Sequence, residues 1–169
     1  MSTQHLQIQP VVLTRSITDG TPLAEPLPPH VQPEYYAAII AAEAIGNSGN
    51  TEIVEIVVDD PRISGYAFFE RDQLVRAVFI NSQAFLQGDT NRTSVHLDLD
   101  FDEQGPKLMT VKRLAIGFAD DTSGVRWGGQ TYETTDGLVG GQLVQEIVPV
   151  SQGLDIVETE AVLLSFLVS

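Results

Sequence analysis

Tyr66-Ala67-Phe68-Phe69-Glu70-Arg71-Asp72-Gln73-Leu74-Val75-Arg76-Ala77-Val78-Phe79 is the stretch that decides the fold. Two runs rich in aromatic and β-branched residues flank four polar ones, so the chain is expected to fold back on itself as an antiparallel hairpin connected at Glu70-Arg71-Asp72-Gln73. The same rhythm continues outward. From Thr51 onward, strand-forming runs are separated by Gly, Pro, Asn and Asp at roughly 8–12-residue spacing. Strands are expected at 52–58, 64–70, 74–81, 94–101, 107–116, 130–134, 143–150, 154–157 and 161–168. They follow one another without intervening helices, which points to a mainly β fold, an antiparallel two-sheet β-sandwich over 51–169.

Upstream the sequence changes character. Pro22, Pro26, Pro28, Pro29 and Pro33 crowd one short stretch, so residues 19–32 form an extended, proline-rich connector. Before it, residues 6–13 can make a short strand, and Pro10 places that strand at an edge or an end. After it, 33–46 carries the signals of an α-helix: proline in the first turn, Glu34 near the N-terminus, an alanine-rich interior and Gly46 past the end. Residues 1–30 are thus an extended segment and connector, 31–46 a helix and the remainder a sandwich. Tyr36, Ile39 and Ile40 are the helix residues expected to pack on the sandwich or on a partner chain.

Composition excludes several functions. The chain has 169 residues, 9 basic against 23 acidic, a net charge of -14, no cysteine and 43% hydrophobic residues. Without cysteine there are no disulfides, thiolate metal sites or cysteine nucleophiles. The charge repels nucleic acid, and no apolar run approaches the roughly 20 residues of a membrane span. The first thirty residues lack a basic segment followed by an apolar block, so no signal peptide is visible and the chain as written is expected to be cytoplasmic.

No string of residues announces an active site. In His96-Leu97-Asp98-Leu99-Asp100-Phe101-Asp102-Glu103 the acids alternate with apolar residues, as on a half-buried strand with a solvated side, and the glycine and glutamate of a calcium loop are not at their spacing. Glu70, Asp72 and Glu133 are carboxylates of the kind a glycosidase uses, but nothing singles out a pair. His5, His30 and His96 are too scattered for a metal motif, and no cofactor is expected. Trp127-Gly128-Gly129-Gln130-Thr131-Tyr132-Glu133 holds the single tryptophan. Trp127 and Tyr132 are candidate sugar contacts if exposed, and Trp127 is a core plug if it is not. Asn91-Arg92-Thr93 is an N-glycosylation sequon in a polar loop.

The order of these features resembles the C-terminal region of glycoside hydrolase family 79, the β-glucuronidase and heparanase-like enzymes, in a fungal form. The resemblance is carried by Val31-Gln32-Pro33-Glu34-Tyr35-Tyr36, Ala41-Ala42-Glu43-Ala44-Ile45-Gly46, Tyr66-Ala67-Phe68-Phe69, Leu74-Val75-Arg76-Ala77-Val78-Phe79-Ile80-Asn81, Val111-Lys112-Arg113-Leu114, the tryptophan string and Ala161-Val162-Leu163-Leu164-Ser165-Phe166-Leu167. It covers roughly residues 31–168. It implies a β-sandwich packed beside a (β/α)8 barrel that holds both catalytic glutamates, with 31–46 resembling that barrel's last helix. No residue of this sequence matches a catalytic position. The expected function is therefore that of a non-catalytic C-terminal domain, not an enzyme on its own, and the alternative is a free-standing carbohydrate-binding or interaction module. The expected partner is the barrel of a full-length parent, extracellular if that parent is secreted. Such a sandwich also takes a strand from ahead of the barrel, whose absence leaves a β edge unpaired. The chain is accordingly read as a truncated product, one part of a split gene, or a domain kept without its barrel.

Overall fold

The computed structural model describes the backbone of residues 11–12 and 30–167, and the side chains of 31–167. Most of the expected strand at 6–13 and of the proline-rich connector lies outside the described residues. Of the former, Val11–Val12 (β1) pairs antiparallel with His30–Val31 (β2). Helix α1 then spans Pro33–Ile45. Pro33 sits where the helix has no use for an N–H, Glu34 faces the positive end of the helix dipole, and Gly46 at φ 71° ends it. Tyr36, Ile40 and Ala44, spaced by four, form its buried row.

The remaining strands are β3 (Thr51–Ile56), β4 (Ile63–Glu70), β5 (Gln73–Asn81), β6 (Ser94–Leu97), β7 (Leu108–Ala115), β8 (Arg126–Trp127), β9 (Glu146–Pro149), β10 (Leu154–Val157) and β11 (Glu160–Leu167). All pair antiparallel. The large sheet runs β3-β4-β5-β11-β7, and the far edge of β7 is shared by β9 along its first half and β8 at its end. The small sheet is β6 with β10. The expected hairpin is β4–β5, and its connection is the two-residue loop Arg71-Asp72, both left-handed at φ 53° and 62°. That geometry matches the twist of the flanking strands.

Two cores lie on opposite faces of the large sheet. On one face Phe79, Met109, Val111, Val162, Leu164 and Phe166 pack against Val95, Leu97, Leu154 and Ile156 of the small sheet. On the other, Phe68, Val78, Ala161, Leu163 and Trp127 pack against Tyr36, Ile40 and Ala44 of α1. β11 feeds both, its successive side chains alternating between them, which is why residues 161–167 read as an apolar run broken only by Ser165.

Three expected strands are corrected. The strand begun at Ser94 ends at Leu97, not Phe101, because its partner β10 begins at Leu154 and Gly153, at φ 63°, turns the chain there. Residues 130–134 form no strand and hold only isolated bridges, Trp127 with Gln130 and Thr131 with Gly140. The pairing falls instead on β8, because Gly128 and Gly129 turn back immediately after Trp127. A side chain on Gly128, at φ 54°, would strike the Lys112 stem at 2.6 Å. The strand expected at 143–150 is confined to β9, and a 3-10 turn follows at Val150–Gln152.

Three anchors fix α1 to the sheet. Near its start the Tyr36 hydroxyl donates to the Val125 carbonyl at 2.9 Å and accepts the Tyr132 N–H at 2.9 Å. At its end the Arg76 Nε donates to the Ala44 carbonyl at 2.7 Å, its Nη2 to the Ile45 carbonyl at 3.2 Å, and Arg76 also binds Glu70. A cation placed there also opposes the negative end of the helix dipole. Between these, Glu43 accepts from the Lys112 ammonium at 2.8 and 2.9 Å and from the Trp127 indole N–H at 3.0 Å. The Lys112 side chain is 8% exposed and that of Glu43 35%. Removing Glu43 therefore strands a buried charge, while water still reaches the carboxylate side. Glu43→Ala is expected to cost about 3 kcal/mol in urea unfolding, the low end for breaking a buried pair, whereas Glu43→Ala with Lys112→Met recovers most of it. A single-variant loss below about 0.5 kcal/mol, as for a surface pair, would show that Lys112 finds solvent.

Candidate functional site

Helix α1 covers only part of the sheet beneath it. Beside it lies a cavity of about 490 Å³, walled by Ala37, Ile40 and Ala41 of the helix and by Tyr66, Phe68 and Ile80 of β4 and β5. Its lining is almost entirely carbon, and Tyr66 and Ile80 remain 36% and 38% exposed. On the outer side of α1, Ala37, Ala38, Ala41 and Ala42 all face solvent. On its other flank Leu143 and Val144, lying against Gly128 and Gly129, are 52% and 59% exposed. In a chain of charge -14, this leaves an exposed apolar helix face with apolar residues on both flanks. Small residues at 37, 38, 41 and 42 leave room for close packing on it.

A second groove, of about 420 Å³, runs between β6 and residues 56–60 over Phe79, Val95 and Leu97. Among the described residues β6 pairs with β10 alone, so its other edge is open.

The residues singled out from the sequence fall in different places. Tyr36 and Ile40 are buried against the sheet of this same chain, and Ile39 is half-buried beside them. Trp127 is 0% exposed, with its indole N–H on Glu43 and the Lys112 ammonium 5.2 Å from its ring centre. It presents no ring face to solvent in this chain. Tyr132 is half-buried, edge-on to Tyr35 and Tyr36 at 5.5 and 5.7 Å. Burial is the main cause that pushes its phenol up, with the charge of Glu43 adding to it. Asn91 is exposed in the loop before β6. Sequence reasoning missed Lys112, Tyr66 and Ile80. The signal for Lys112 was a cation in the largely apolar run of β7, facing Glu43 in the interior of an alanine-rich helix; nothing local marks the other two.

The carboxylates considered for chemistry are each occupied or dispersed. Glu70 is bound to Arg76, Asp72 lies exposed in the hairpin loop, and Glu133 accepts the backbone N–H groups of Gly124 and Val125 at 2.7 and 3.0 Å. Among the described residues no three His, Cys, Asp or Glu side chains are grouped as metal ligands. In the acidic run, His96 faces Asp155 across the small sheet at 2.9 Å and Asp98 at 3.5 Å.

The hydrogen bond to Asp155, aided by the charges of Asp155 and Asp98, raises the His96 imidazole above its ordinary 6.5. The pair's contribution is full below 6.5 and fades as pH rises through the raised value. An NMR titration is expected to place the His96 midpoint above 6.5 and to return it toward that value in Asp155→Asn. A midpoint at or below 6.5 in the unaltered chain contradicts the pairing.

Comparison with known proteins accords with this architecture. A crystal structure of a 4-O-α-L-rhamnosyl-β-D-glucuronidase from Fusarium oxysporum 12S, in complex with Rha-GlcA, superposes with a TM-score of 0.68 at 22% identity over 78% of this chain. That likeness concerns the fold, and the matched region is 29% of the enzyme's own chain. No curated protein sequence matches. Residues 65–163 match the model of the glycosyl hydrolase family 79 C-terminal beta domain, from β4 into β11 and so across both sheets. The chain belongs to that family.

Proposed function

We propose that the chain acts as the non-catalytic β-sandwich of a glucuronidase-like hydrolase and that its α1 face docks a (β/α)8 catalytic barrel. The observation that carries this proposal is the apolar face of α1 with its adjoining cavity, which leaves the wall of a larger assembly uncovered. Membership of a family of C-terminal domains supports it, as does a structural neighbour more than three times as long as the region matched. The four exposed alanines suit a barrel helix laid alongside α1, and the cavity beside Tyr66 and Ile80 suits a bulky side chain from it. The open edge of β6 suits an added strand from the same parent. Of the carboxylates considered, Glu70 is engaged by Arg76 and Glu133 by backbone N–H groups, which fits a non-catalytic role.

The domain's contribution to such an enzyme is mechanical. A rigid sheet braced by Glu43, Lys112 and Trp127 holds α1 at a fixed position, and whatever packs on α1 inherits that position.

Co-expression with a family catalytic barrel lacking its own β domain is expected to give a one-to-one complex. Ala38→Arg with Ala41→Arg is expected to weaken it more than tenfold, or about 1.4 kcal/mol, without lowering the melting temperature of the free chain. A complex indifferent to both substitutions rejects the α1 face as the docking surface. The chain alone is expected not to turn over a chromogenic β-glucuronide; a rate that survived purification and vanished in Glu133→Gln would overturn the non-catalytic assignment. Trp127 emission is expected to be blue-shifted and unchanged by glucuronides, and a red-shifted, sugar-responsive tryptophan would favour the binding-module alternative.

A further inference from the structure

We propose that Asn91 is the attachment site of an N-linked glycan. Of the four asparagines in the sequence, Asn91 alone begins an Asn-x-Ser/Thr pattern, and its middle residue, Arg92, is not the proline that blocks transfer. The structure adds the presentation of that asparagine. Residues 82–93 cross from β5 in the large sheet to β6 in the small one, and Asn91 is exposed near the end of the crossing. Its neighbours in the sequon are tied down. Arg92 donates from Nε and Nη2 to the Glu158 carbonyl at 2.9 and 2.6 Å and from Nη1 to the Ile116 carbonyl at 3.0 Å, and its guanidinium lies over Phe85. Thr93 Oγ1 donates to Glu158 Oε1 at 2.6 Å. The loop is clamped on its inner side and offers one amide outward, so a glycan there removes none of these bonds.

The timing is also built into the sequence. The Thr93 hydroxyl is read by the transferase, yet in the folded chain it is committed to Glu158, 65 residues further on. Transfer during synthesis therefore precedes the folding that sequesters this hydroxyl. Transfer forms a bond from Asn91 Nδ2 to the anomeric carbon of the first sugar of a lipid-diphosphate-linked oligosaccharide. It breaks that carbon's bond to the diphosphate, and the lipid diphosphate leaves as one amide proton is lost. The proposal places the chain on a secretory route and does not depend on what covers α1.

The test is the intact mass of the chain secreted behind a cleavable leader from a eukaryotic host, before and after peptide-N-glycosidase. The expected result is a mass above the unmodified 18.4 kDa that collapses on digestion, with asparagine converted to aspartate at position 91 in the peptide map. Asn91→Gln is expected to abolish the excess while leaving the melting temperature of the deglycosylated protein unchanged, and Thr93→Ser to retain it. Secreted, folded protein whose residue 91 remains unmodified asparagine overturns the proposal, and so does a mass excess that persists in Asn91→Gln.

Discussion

A lysine inside the large sheet is the constraint on which the rest of the structure depends. The Lys112 ammonium cannot be left in an apolar layer without a counter-ion, and the carboxylate that meets it comes from α1, 69 residues away. Because Glu43 also accepts the Trp127 indole N–H, one carboxylate sets the height of the helix, the depth of the tryptophan and the direction of the lysine stem together. Gly128 is then dictated, since the stem occupies the space a side chain there would need. Buried ion pairs are poor sources of net stability, and the consequence of this one is positional.

The acidic composition has a structural account as well. Several carboxylates serve as acceptors for backbone N–H groups in segments that have no ladder partner. Asp89 takes that of Leu86, Asp120 that of Gln87, Asp121 that of Phe118, and Glu133 those of Gly124 and Val125. A sandwich with long connections needs such acceptors because its loop N–H groups are not paired by strands. Part of the negative charge is therefore a by-product of holding loops, and the helix face, where no loops need holding, stays apolar.

How far the sequence revealed this depends on how local the deciding interaction is. The β4–β5 hairpin was legible because its strand formers and its polar connection are adjacent, and α1 because its caps are written at its ends. β11 was legible as a strand from its apolar run, interrupted only by Ser165. β8 was not, because a two-residue strand has no period, and the true end of β6 was hidden because the alternation of leucine and aspartate continues after its partner has stopped. The union of Glu43, Lys112 and Trp127 joins residues far apart in the chain, and no spacing rule spans such a distance. The face proposed for docking was half legible: the alanines suggested close packing, whereas the exposure of Tyr66 and Ile80 reflects how much of β4 and β5 the helix leaves uncovered.

The placement of β11 carries a consequence for biogenesis. Residues 160–167 lie between β5 and β7, both of which are synthesised far earlier. Until those residues emerge from the ribosome, the β3–β4–β5 meander and the β7–β9 pair are two separate pieces with bare inner edges. The sheet closes only by late insertion of its middle strand. Domains assembled from such distant pairings fold slowly and expose strand edges while they wait.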